Sequence, residues 1–376
     1  MTSTTTTMTS TTTSSWPIST TRPDAPMRLA VNLGYFGMGM DADNLAVAQE
    51  ADALGYAVAW VAEAYGSDVP TILGWLAGQT KDIGLGAAVM QIPARTAAMT
   101  AMTAATIDHV SGGRMHLGLG VSGPQVSEGW HGVRFADPLG RTREYVEVVR
   151  MALRRERVSY AGRHLTLPLP DGPGKALKLT LPTRADLPIY LAAVGPKNLE
   201  LAGELADGLL AIFFAPEHAG TIIDSLTTGR RRAGRGTDED PMTGFDLVAT
   251  VPVAVTDDVE AGLAAIAPYA ALYVGGMGSR EQNFYNRLAV RMGFGEAAAQ
   301  VQELYLAGRH RDAAAAVPRE FIDSTSLVGP ASRIRERLAA YAEAGVTTLA
   351  VSPFSPGREE RLRTLHVMAT ALQSMK

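Results

Sequence analysis

One motif constrains this chain more than any other feature: a short apolar run, a tip of small residues, then a helical stretch, repeated from end to end. Its clearest copy covers residues 103–124. There the end of an Ala- and Thr-rich helix meets Ser111-Gly112-Gly113, and glycine takes the left-handed conformation of a helix stop without steric cost. Residues 114–119 then suit a strand buried in a sheet. Gly118-Leu119-Gly120 and Val121-Ser122-Gly123-Pro124 follow with almost no side-chain bulk. A loop of small residues at the carboxyl end of a parallel strand is where α/β enzymes hold their ligands. Taken alone, these glycines read as an ordinary tight strand exit. The recurrence of the design favours a site.

Strand patterns fall at 28–33, 56–62, 83–90, 114–119, 188–193, 208–214, 245–255 and 346–351, with helical patterns between them. Short β-α connections imply a parallel sheet with right-handed crossovers. Eight such units predict an α/β fold, a (β/α)8 TIM barrel. Residues 259–323 form a helical insertion before the last strand, broken by Gly275-Gly276-Met277-Gly278, and 159–186 is a Pro- and Gly-rich excursion. A doubly wound open sheet is the competing architecture, but no dinucleotide fingerprint follows the first strand.

Composition narrows the function. The chain has 376 residues, 46% of them hydrophobic and 19% charged, enough for a large core and too apolar for a disordered protein. A net charge of −4 lacks the basic excess of a nucleic-acid binder. Cysteine is absent, which excludes disulfides, thiolate metal sites and a cysteine nucleophile. Residues 1–26 are mostly Thr and Ser and read as a disordered extension, with a single folded domain over 27–376. They hold no apolar block of signal-peptide length, and no later segment approaches a membrane span, so the protein is expected to be soluble and cytoplasmic.

In a barrel all strand exits open on one face. Here they bring Tyr35-Phe36, Glu63, Met90-Gln91, Ser122-Gly123-Pro124, Gly195-Pro196-Lys197, Phe213-Phe214 and Ser352-Pro353-Phe354 together. That lining suits a flat heteroaromatic ligand better than a sugar or a metal. Neither a carboxylate pair nor a metal-spaced His/Asp/Glu cluster is visible. Glu63 is the one acid at an exit in the first half. In an apolar mouth it could hold or donate a proton, and a capping or salt-bridged glutamate is an equal reading. Gly195-Pro196-Lys197 opens a helix after a strand, where free amides and the helix dipole favour an anion and Lys197 adds charge. The competing reading is a routine turn with a solvated lysine. His109 and His116 read as structural, and His131 as an exposed loop residue that could alternatively face substrate.

The segments 107–114, 117–120 and 194–198 together resemble the bacterial luciferase-like superfamily, and within it the coenzyme F420 (deazaflavin)-dependent oxidoreductases near the methylenetetrahydromethanopterin reductases. The resemblance implies a homodimer or higher homo-oligomer with cofactor across the carboxyl face; charge and the lack of a span leave no nucleic-acid or membrane partner expected. It also implies a non-proline cis peptide at Ala88–Val89 backing the cofactor ring, with Ala88, Val89 and Met90 beside it. Ser122 and Gly123 fall in the cofactor loop, and Gly195, Pro196 and Lys197 near the phosphate-bearing tail. Many relatives end the second strand in Asp-His, where this chain has Glu63-Ala64, and the relatives' acid after the fourth strand is replaced by Gly123-Pro124. Reduction of an activated C=C or C=N bond fits these departures better than alcohol oxidation, with Glu63 or water giving the proton. The alternatives are an FMN-dependent monooxygenase of the luciferase type and a barrel that binds cofactor without chemistry.

Overall fold

The computed structural model describes residues 27–36 and 41–375. The expected extension 1–26 and the tip Gly37-Met38-Gly39 lie outside them. Eight parallel strands form the barrel: β1 (Arg28–Gly34), β2 (Val58–Val61), β3 (Gly84–Ala87), β4 (Met115–Gly120), β5 (Ile189–Ala192), β6 (Gly208–Ile212), β7 (Asp246–Val255) and β8 (Thr348–Pro353). Each pairs with its sequence neighbour, and Arg28 opposite Thr348 joins β8 back to β1. The sheet therefore closes, and the open-sheet alternative falls.

Alternation along the strands sorts side chains into two layers. Leu29, Val31, Ala59, Val61, Leu85 and Leu117 point outward into the core shared with the helices. Ala30, Trp60, Tyr190, Leu210, Val248 and Ala350 fill the barrel itself. Its largest rings need glycines opposite them: a Cβ on Gly86 would come within 2.2 Å of the Trp60 ring, and one on Gly208 within 2.4 Å of Tyr190.

The Ser-Gly-Gly-Arg segment works at the amino end of β4, away from the strand exits. Gly112 and Gly113 have φ of 73° and 91°. The turn they make folds the buried Arg114 guanidinium under the barrel, where it donates to Thr80 Oγ1 and to the carbonyls of Ala77, Ile83 and Ser111. Asp108 accepts from the Met115 amide and is held by Arg184, so the same segment fixes where β4 begins.

Three local expectations change. The third strand stops at Ala87 and resumes as Met90–Gln91, with a cis Ala88–Val89 peptide between them. The loop after β4 opens with a short helix, Pro124–Gly129. The excursion 159–186 carries a small hairpin, Tyr160–Ala161 with Thr166–Leu167, pinned because the Glu144 carboxylate accepts the amides of Arg163, His164 and Leu165.

The insertion starts with the helix Val259–Ala271, contains the helices Phe284–Arg291 and Gly295–Leu306, and ends in the strand Leu327–Gly329 beside the far end of β7. Contrary to expectation, Val259–Gly276 is long and apolar enough to cross a membrane, the one such stretch among the described residues. Its apolar side is spent on protein: Leu263, Ile266, Ala270 and Val274 pack with Phe213 and Phe321 in a second core.

Candidate active site

The carboxyl ends of β2, β3 and β4 are tied by one hydrogen-bonded web. Glu63, just past β2, accepts from Arg95 at both oxygens, 2.7 and 2.8 Å, and also from the amides of Val69 and Gln91. The Gln91 side chain donates to Ala64 O and accepts from Ser122 Oγ. Ser122 holds φ of 60°, a left-handed conformation rare outside glycine. Each Glu63 oxygen is thus filled by one guanidinium and one backbone N–H. This is the salt-bridged reading of Glu63, and it leaves no free carboxyl poised to donate a proton.

Ala88 and Val89 are half-buried at the barrel mouth, packed on the interior cluster around Trp60. Met90 is instead fully buried among the helices, so its side chain cannot line the mouth. Gly123 caps the short helix Pro124–Gly129. Gly195 caps Pro196–Leu205 with no side-chain bond to the first amides, and a Cβ there would meet nothing within 4 Å. Lys197 corrects another expectation: its amine is 2.8 Å from Glu200 and largely exposed, so its charge is satisfied along the helix.

The cation at that turn comes from elsewhere. Arg291, on the insertion helix Phe284–Arg291, donates to Val194 O at 2.9 Å. Burial and the neighbouring Arg287 push its pKa down, and no acid among the causes offsets them. Such a guanidinium is short of negative charge. His131, in the loop after β4, is half-buried rather than exposed, and its buried Nε2 has no hydrogen-bond partner among the described residues.

Across the mouth, the expected Phe213, Phe354 and Tyr35 meet three tyrosines of the insertion, Tyr269, Tyr273 and Tyr285, that the sequence reading missed. Phe213, at the β6 exit with φ of 53°, has ring centroids of Tyr269, Tyr273 and Tyr285 at 5.4, 5.5 and 6.2 Å. Phe354, beyond β8, is 5.4 Å from Tyr269. The Tyr35 phenol, beyond β1, lies near that of Tyr273. Burial raises the pKa of all four phenols, so they stay protonated at neutral pH. The available signal was the Tyr269/Tyr273 spacing just before the Gly275-Gly276 break.

A mouth walled by small residues, aromatic rings and phenols, with an uncompensated guanidinium and open helix amides at one rim, fits a planar ring carrying an anionic tail. Independent comparisons agree with that reading of the fold. Residues 36–348 match the family model for luciferase-like monooxygenases. A Mycobacterium tuberculosis protein provisionally named a coenzyme F420-dependent oxidoreductase is 44% identical over 349 residues, 91% of this chain and 99% of its own. The 5,10-methylenetetrahydromethanopterin reductase of Archaeoglobus fulgidus is 29% identical, over 83% of this chain and 90% of its own. The solved F420-dependent tetrahydromethanopterin reductase of Methanopyrus kandleri superposes with a TM-score of 0.78 at 24% identity, over 93% of this chain and 99% of that one. With a matching family model across most of its length and a closed parallel barrel beneath it, the chain belongs to the bacterial luciferase-like family.

Proposed function

We propose that this protein is a coenzyme F420-dependent oxidoreductase that reduces an activated double bond of a small organic substrate. The observation that carries the reading is the convergence of the strand exits on one aromatic mouth with Arg291 short of a counter-charge at its rim. The names of the mycobacterial and archaeal relatives support deazaflavin over FMN as the ring.

When bound, the deazaflavin supplies a hydride and the two electrons it carries; that chemistry is the cofactor's. The chain's part is placement. Ala88 and Val89 would back the ring, while Ser122 and Gly123 would border it. The amides after Gly195 and Pro196, with Arg291, would hold the anionic tail. Glu63 acts in this scheme as a positioning residue, because its ion pair with Arg95 fixes the exits of β2 to β4 that the ring rests on. The face of the ring must be kept roughly 3–3.5 Å from the acceptor carbon with water excluded.

We also propose that the chain self-associates. The helices Val69–Ala77 and Ala97–Val110 expose Trp75, Met99, Met102 and Val110, with no charge among them. An exposed apolar face of that kind marks an association surface.

The test is titration of the purified protein with oxidised F420 and, separately, with FMN, followed by fluorescence. Binding of F420 at micromolar Kd or better with no measurable FMN binding supports the assignment. The reverse preference replaces it with the flavin monooxygenase reading. Binding of F420 without turnover of any acceptor would leave a carrier barrel.

A further inference from the structure

The inner wall of the barrel is divided, and one half of its mouth end can hydrogen-bond. Ala30, Val248 and Ala350 face inward, so alternation also turns Asn32, Thr250 and Ser352 to the barrel interior. Their outward neighbours Val31, Val251 and Val351 are buried against the helices. Asn32 and Ser352 are nevertheless only half-buried. An inward residue near the carboxyl end of a strand in a closed sheet meets solvent through the mouth. β1 and β8 run in register from Arg28 opposite Thr348 to Val31 opposite Val351, and the next step of that register sets Asn32 beside Ser352. Across the barrel, β3 to β5 turn Ala88, Gly118, Gly120 and Ala192 inward, none with a polar side chain. The bond Asn32 makes fixes which way its amide points. Its Oδ1 accepts from the Gly34 amide at 3.2 Å, which leaves the side-chain NH2 as the free end. Among the described residues nothing accepts from that NH2, and the Ser352 hydroxyl has no partner either. Trp60, paired with Asn32 across β1 and β2, adds a buried indole N–H without a partner among the described residues.

We propose that Asn32 and Ser352 are a substrate-binding pair, and that the substrate presents an uncharged carbonyl group to them. The inference rests on the hydride-transfer reading and deepens it by naming the substrate class. The carrier ring lies on the small-residue wall, and the carbonyl anchors the acceptor on the polar wall opposite. Asn32 donates to the carbonyl oxygen, and the Ser352 hydroxyl gives a second hydrogen bond beside it. Charge selects the class. From Asn32 and Ser352 to the ends of their strands, the inward positions of β7, β8 and β1 carry no charged side chain among the described residues. A carboxylate or phosphate would lose its hydration there without a cation beside it, and an ammonium would meet N–H donors instead of acceptors. A neutral carbonyl only exchanges water for the Asn32 amide.

The probes are 2-quinolone, a planar carbonyl compound, quinoline, which lacks the carbonyl, and quinoline-2-carboxylate, its anionic counterpart. Calorimetric titration of the full chain, with and without oxidised F420, ranks them. Wild type is expected to bind 2-quinolone about tenfold more tightly than either control. Asn32→Leu, close in shape but without donors, and Ser352→Ala should each cut that preference about fivefold. Asn32→Asp puts a negative acceptor in place of the donor and should turn the preference towards N-methylquinolinium, a reversal that a merely structural role would not produce. If Asn32→Leu melts below the assay temperature, Asn32→Asp and Ser352→Ala decide. No preference in wild type, or a preference unaltered by the substitutions, overturns the pair. F420 affinity is measured on the same samples and should be the same in wild type and variants. Variants that lose F420 affinity but keep the 2-quinolone preference would give these residues to the cofactor and overturn the inference. Preference for 2-quinolone in a wild type that does not bind F420 removes the hydride-transfer reading and keeps the pair; F420 binding without the preference does the opposite.

Discussion

Arg95 grips both carboxylate oxygens of Glu63, at 2.7 and 2.8 Å, with only 5% of the Glu63 side chain and 17% of the Arg95 side chain exposed. Removing one partner of such a pair strands the other charge in a poor solvent, at a cost of about 3–5 kcal/mol. Glu63→Gln is therefore expected to lower stability by a few kcal/mol, measured by urea unfolding, and Arg95→Met by a similar amount. The double variant should lose less than the sum of the singles, since no charge is left unpaired. A Glu63→Gln protein of wild-type stability and unaltered cofactor binding that has lost turnover would instead restore Glu63 as the proton donor.

His116 gives a pH prediction with a definite sign. Its half-buried ring lies against Trp60 and Tyr190, and desolvation there lowers its pKa to about 4. The unfolded chain binds that proton near pH 6.5, so it holds more protons than the native state between the two values. Stability is complete above pH 6.5 and declines as pH falls towards 4, by about 2 kcal/mol between pH 7 and pH 5. Urea midpoints across that window read the slope. His116→Gln should flatten it, and a slope that survives the substitution would assign it to other groups.

Gly118 tests how tightly β3 and β4 are packed where the mouth begins. A Cβ there would lie 1.9 Å from the Ala87 carbonyl oxygen, which is backbone and cannot rotate away. Overpacking usually costs about 1–3 kcal/mol, and with no flexible atom to yield Gly118→Ala should reach the upper end and displace the Ala88–Val89 step. The expected result is a lowered melting temperature together with weakened F420 binding. Gly195→Ala, with open space at its Cβ, should leave the melting temperature unchanged.

Which parts of this were readable from the chain follows from how local each cause is. The barrel strands were legible because each carries its own apolar run and small-residue tip. The cis step came from resemblance, since nothing in the types of Ala88 and Val89 announces it. Glu63 was visible as an acid at an exit, but the residue that neutralises it lies 32 positions along, in another unit. Lys197 misled for the opposite reason: its partner Glu200 is one helical turn away on the same face. Tyr273 escaped because a π-turn shifts the phase on which helical periodicity depends. The Ser-Gly-Gly-Arg segment, most telling of family, proved to be a brace at the far end of the barrel.

Self-association has a direct test on the face of Ala97–Val110. Met102 is 49% exposed between Met99 and Thr106, on a surface without charge. Burying a glutamate there would be unfavourable in a dimer and harmless in a monomer. Met102→Glu is expected to shift the light-scattering mass from a multiple of the chain mass to that of one chain, without altering its far-UV spectrum. An unchanged multiple would place the interface on another surface.

Arg291 offers the cleanest separation of cofactor tail from ring. Its guanidinium reaches Val194 O beside the open amides of Pro196–Leu205, and Arg287 adds a like charge nearby. An anionic tail seated there would relieve both the desolvation and the repulsion, and a charge-assisted contact contributes about 1.5–3 kcal/mol. Arg291→Ala should thus weaken F420 binding by at least tenfold while leaving the melting temperature of the unliganded protein within about 1 °C, because the lost bond to a surface carbonyl is replaced by water. The effect should also shrink as salt is raised, since a half-exposed ion pair is screened. Arg291→Lys keeps charge but not the fork and should fall between the two. A deazaflavin affinity indifferent to both substitutions and to salt would move the tail to a different rim of the barrel, even if the ring still occupies the aromatic mouth.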